Sequence, residues 1–193
     1  MNASDAAIIV LYNLFDTEYR EIKCDELNWR ISNSNKRIDD AVVSMILGDI
    51  DGKIEATLQL KKAKVPRFVF EHEVGIKKLI TMSGGNKRVL YRFLRDLFGR
   101  VGQISDLPVT QRNVNHVISA ARDVQRRTVD HENWELLAKV YLDPLISCGE
   151  LPEYQDLIRS QSVFYYTGHP CYWLINPLIR NLPQFQEALQ KLQ

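Results

Sequence analysis

The sequence predicts an α+β fold: a small mixed β-sheet with flanking helices over residues 1–82, then a mainly helical lobe over 83–193 that carries an aromatic hairpin. Three observations predict it. β-Branched residues and a period of two dominate residues 41–61, amphipathic helical spacing takes over after residue 86, and aromatic residues concentrate around Gly168-His169-Pro170. The chain has 193 residues, 45% apolar and 25% charged, enough for a full core in one domain or for two small lobes sharing an interface.

Taken in order, Ser4 or Asp5 caps a first helix whose apolar residues Ile8, Ile9, Leu11, Tyr12, Leu14 and Phe15 form a broad buried face. Residues 19–30 read as a strand, a short helix or one after the other. Ser32-Asn33-Ser34-Asn35 is a turn, because these side chains compete for backbone hydrogen bonds. Ala41 to Leu47 then reads as a buried strand, with Asp51-Gly52 the tight point of a hairpin turn. In the returning strand, Lys53 to Lys61, the residues Ile54, Ala56, Leu58 and Leu60 alternate with polar ones.

Pro66 ends that run, Arg67 to Phe70 reads as a short strand, and Val74 to Met82 as a helix with Lys77 and Lys78 exposed. Beyond Ser83-Gly84-Gly85-Asn86, the stretch Lys87 to Phe98 is a strongly amphipathic helix, with Val89, Leu90, Phe93, Leu94 and Leu97 inside. Gln111 to Arg127 and His131 to Cys148 form two more helices, the second ended or kinked at Asp143-Pro144. The aromatic segment Ser162 to Asn176 is a hairpin and Gln184 to Leu192 a final helix.

A formal net charge of +1 means that any polyanion must be met by local clusters of Lys and Arg rather than by the whole molecule. Cys24, Cys148 and Cys171 are odd in number and widely spaced, which points to free thiols in a reducing compartment. The apolar run Ala6 to Phe15 is short, lacks a basic leader and is followed at once by Asp16, Glu18 and Arg20, so neither a signal peptide nor a membrane span is expected. The expected location is the cytoplasm.

Metal-dependent DNA hydrolysis needs carboxylates to hold divalent cations beside the scissile phosphate and a lysine to position the attacking water. With Asp40 opening one strand and Gln59 and Lys61 on one face of its partner, these side chains converge on one patch of the sheet. The run Arg37-Ile38-Asp39-Asp40-Ala41-Val42-Val43 followed by Leu58-Gln59-Leu60-Lys61 resembles the PD-(D/E)xK nuclease superfamily, and within it the double-stranded-DNA endonuclease domains of bacterial anti-phage effectors. The resemblance spans about residues 4–80.

What the resemblance implies is a restriction-endonuclease-like core, a Mg²⁺ or Mn²⁺ cofactor and DNA as substrate. By that carry-over Asp40 is the principal metal ligand with Asp39 its alternative, Gln59 a weaker neutral ligand and Lys61 the catalytic lysine. Glu55 adds an acid, and Glu21 or Glu26 supplies another from the preceding segment. The sequence departs from the family pattern in having no proline before Asp39, Gln59 in place of the usual acid, and no apolar fourth strand after Met82.

Lys62, Lys64 and Arg67 flank the proposed active strand, and Lys87, Arg88, Arg92 and Arg95 decorate the amphipathic helix, so both sets are candidate phosphate contacts. Glu71, Glu73 and Asp96 partly offset them. Two non-enzymatic readings compete. In one, residues 5–70 form a DNA-binding winged helix with its recognition helix at Asn35 to Leu47, and a second winged helix lies near residues 111–176. In the other, the chain is an adaptor whose helical half and aromatic hairpin dock on a larger protein partner or a further copy of itself. The nuclease reading predicts Mg²⁺- or Mn²⁺-dependent cutting of linear and supercoiled duplex DNA, lost in Asp40→Ala and in Lys61→Ala; cutting indifferent to both substitutions removes the assignment.

Overall fold

The computed structural model describes residues 3–22, 40–59, 69–101, 107–143, 152–166 and 172–193. These residues are mostly helical, with one two-stranded antiparallel sheet, an α+β composition at the coarse level. In chain order the elements are α1 (Ala3–Glu21), α2 (Asp40–Leu58), α3 (Glu73–Ser83), α4 (Lys87–Arg100), α5 (Gln111–Thr128), α6 (Asn133–Leu142), α7 (Pro152–Arg159), β1 (Val163–Tyr166), β2 (Tyr172–Ile175) and α8 (Pro183–Leu192). Two compact units result, and their division falls inside α5, after Ser119, rather than after residue 82.

The first unit is organised by α1 and α4. Ile8, Leu11 and Phe15 recur at helical spacing on α1 and are buried, as are Val89, Leu90, Phe93, Leu94, Leu97 and Phe98 on α4. Phe15 stacks on Phe98 with ring centroids 5.8 Å apart and meets Tyr91 at 6.0 Å. Tyr12 lies beside Gly99, Asp16 beside Arg95 and Ile22 beside Arg88, a reversed order of contacts that makes the two helices antiparallel. The helix expected at the N-terminus is therefore present and continues through Tyr19 to Glu21, where the sequence left a strand open.

The largest departure from the sequence reading is α2. The strand, hairpin turn and returning strand expected between Ala41 and Lys61 are, as far as Leu58, a single helix. Its buried residues Val43, Ile46, Leu47, Ile50 and Ile54 recur every three or four positions, whereas Ala56, which the alternation places inside, is exposed. Tertiary burial of that stripe overrides both the β-branched composition and the two helix-interior glycines, Gly48 and Gly52, each of which costs about 1 kcal/mol relative to alanine. Gln59 follows the last helical residue with φ 54°, the left-handed conformation that terminates helices. Residues 60–68, including Lys61, Lys62, Lys64, Pro66 and Arg67, lie outside the described residues, as do Asp39 and all three cysteines.

The helix α3 forms where the sequence places it, with Lys77 and Lys78 exposed. Gly84 and Gly85 then take φ of 64° and 75°, a pair of left-handed residues that only glycine adopts without strain, and turn the chain into α4. Asn86 caps α4, its side chain accepting from the Val89 amide at 3.0 Å. Phe70 and Val109 form an isolated parallel bridge at the end of the short strand expected over Arg67 to Phe70, of which Arg67 and Phe68 lie outside the described residues.

In the second unit, α6, α7, the hairpin and α8 surround a core of Trp134, Leu137, Val140, Tyr154, Leu157, Val163, Ile175, Ile179 and Phe185. The hairpin pairs Val163 with Ile175 and Tyr165 with Trp173, as its aromatic composition suggests. The sequence reading assigned no element to Pro152–Arg159, yet Tyr154 and Leu157 bury one face of α7 behind a proline that starts it. Asp143 terminates α6, in keeping with the Asp143-Pro144 signal. The corner from α7 to β1 is polar and buried: Gln125 Nε2 donates to the Ser160 carbonyl at 3.1 Å and to Ser162 Oγ at 2.9 Å, and Asn176 Nδ2 donates to the Gln161 carbonyl at 2.9 Å.

Phe15→Ala removes a fully buried ring and should lower the stability of the first unit by about 3–5 kcal/mol in urea unfolding. Gln59→Gly relieves a left-handed side chain at the end of α2 and should raise stability by about 1 kcal/mol in the same assay.

Candidate functional site

Of the residues expected to form a metal centre, Asp39 and Lys61 lie outside the described residues, and Asp40 and Glu55 are not drawn together. Asp40 sits exposed in the first turn of α2, and Glu55 lies fifteen residues further along the same helix, about 22 Å away by helical rise. Gln59 is exposed at the helix end. Asp40 and Glu55 therefore occupy one helix, with Gln59 just past its end, where the resemblance required facing strands. Among the described residues no group of three or more His, Cys, Asp or Glu is arranged to hold a metal ion.

The basic face of α4 is largely engaged inside the first unit. Arg88 Nη2 donates to the Ile22 carbonyl at 3.1 Å, at the C-terminal end of α1. Arg95 bonds Asp96 at 2.7 Å, approaches Asp16 at 3.6 Å and stacks over the Tyr19 ring at 4.8 Å. Burial works against the Arg95 charge, but the hydrogen bond and field of Asp96, with Asp16, hold its guanidinium above the ordinary value. Burial lowers that of Arg92, with Tyr19 and Asp96 opposing.

Where α1, α2 and α4 meet, a polar cleft of about 240 Å³ is lined by Glu18, Glu21, Asp49, Lys53, Lys87 and Tyr91. Lys53 Nζ reaches Glu18 at 2.8 Å and lies 5.9 Å from the Tyr91 ring centre. Tyr91 is almost wholly buried. Burial, the fields of Asp49 and Glu18 and a hydrogen bond to Glu18 together push its phenol well above the ordinary tyrosine range. Burial first, then Asp49 and the Glu18 that holds Lys53, thus keep Tyr91 neutral.

The second unit presents a different chemistry. Residues 120–193 contain seven Lys or Arg against nine Asp or Glu. On α7, Asp156 holds the helix's one cation, Arg159, at 3.4 Å. The hairpin exposes Tyr165, whose ring lies 4.6 Å from that of its cross-strand partner Trp173. Tyr141 and Leu142 are exposed at the end of α6, and Arg180 lies 6.0 Å from the Tyr141 ring centre.

A second cleft of about 240 Å³ opens between the start of α6 and α8, lined by His131, Glu132, Trp134, Gln184, Glu187 and Lys191 among others. Sequence reading missed both clefts. Each is assembled from helices far apart in the chain, and the only advance signal was the helical spacing that set Glu18, Glu21, Asp49 and Lys53 outside the apolar stripes. Compared with known protein families, with characterised proteins and with solved structures, the chain shows no match.

The raised Tyr91 phenol makes stability fall at high pH. Its contribution is fully present below the ordinary tyrosine value of about 10 and declines as pH rises through the folded-state value, because only the unfolded chain ionises readily there. Chemical unfolding compared at pH 8 and at about pH 11 should show a steeper loss for the native chain than for Tyr91→Phe. In a double-mutant cycle, Asp16→Asn with Arg95→Gln should report a coupling of about 0.5–1 kcal/mol, the range of partly exposed ion pairs.

Proposed function

We propose that this chain is a non-enzymatic adaptor whose C-terminal unit is a winged-helix fold used to dock on protein. The observation that carries the reading is the order α5, α6, α7, β1, β2: three helices, a tight polar corner and an antiparallel hairpin, over the residues where the sequence suggested a second winged helix. In a DNA-reading version the helix before the hairpin enters the major groove and needs free cations toward the phosphates. Here that helix has eight residues, carries Glu153 and Asp156 against Arg159, and Arg159 is paired. The acidic balance of residues 120–193 disfavours a phosphate backbone, whereas the exposed Tyr165, backed by the half-buried Trp173, suits a protein surface.

The DNA-cutting reading keeps its own test above, but the helix at Asp40–Leu58 gives it no hairpin scaffold. No helix among the described residues is long and apolar enough to cross a membrane.

With a photo-crosslinking amino acid in place of Tyr165, the chain expressed in its native cells should trap one discrete protein, and the same group at Arg127 should not. The purified chain should leave duplex DNA unshifted at physiological salt. A mobility shift abolished by Arg159→Glu is the contrary result and transfers the unit to DNA recognition.

A further inference from the structure

We draw no further inference here: the strongest candidate, the stripe of small residues Ser44, Gly48, Gly52 and Ala56 along the outer side of α2, leaves open space beside both glycines, but among the described residues nothing shows what covers it.

Discussion

The antiparallel pairing of α1 with α4 is the constraint on which the rest of the first unit depends. Each helix carries charge at the end where its own dipole disfavours it. Lys87 and Arg88 open α4, whose first turn has no acid, and Glu18 and Glu21 lie near the C-terminus of α1. Reversing one helix against the other sets the cations of α4 beside the carbonyls and carboxylates of α1, as the bond from Arg88 to Ile22 records. The aromatic contact of Phe15 with Phe98 and Tyr91 supplies the apolar half of the same interface. Neither helix is well formed electrostatically without the other, and α2, which adds Asp49 and Lys53 to the shared cleft, completes a site that the pair creates.

Much of the helical architecture was legible in the sequence. The strong amphipathic periods of α4 and α5, the turn at Ser83-Gly84-Gly85-Asn86 and the aromatic hairpin are local signals, and local signals survive folding when they agree with the core. The segment Asp40–Leu58 carried two conflicting ones. Residues 53–58 obey both a strand alternation and a helical stripe through Ile50 and Ile54, and Gly48 with Gly52 favours a turn; only contact with the neighbouring helices decides for the stripe. That decision also separated Asp40 from Glu55, so the candidate metal centre depended on the one element whose period was misread. For the clefts, the charged residues were visible but their partners were not, since Glu18 and Lys53 become neighbours, and Trp134 and Gln184 come to line one cleft, only through packing.

The basic residues illustrate why a sequence cluster is not a surface patch. Lys87, Arg88, Arg92 and Arg95 fall on the solvent side of the apolar stripe of α4, as the periodicity requires, but α1 lies along part of that side and supplies Asp16, Tyr19 and the Ile22 carbonyl. Arg88 and Arg95 are therefore engaged within the unit. In the second unit acids slightly outnumber cations, and Tyr165, Tyr141 and Leu142 add exposed apolar surface.

The buried corner between α7 and β1 separates the groups that anchor the hairpin from those on its outer face. Gln125, Ser160, Ser162 and Asn176 satisfy one another so completely that the start of the hairpin is fixed by side chains remote from its exposed face. A substitution at the exposed Tyr165 leaves that anchor intact, whereas Trp173 packs against the core beneath. The residues that hold the hairpin and the residue it exposes are thereby separate: the corner polar groups fix its start, and Tyr165 can be exchanged without loosening them.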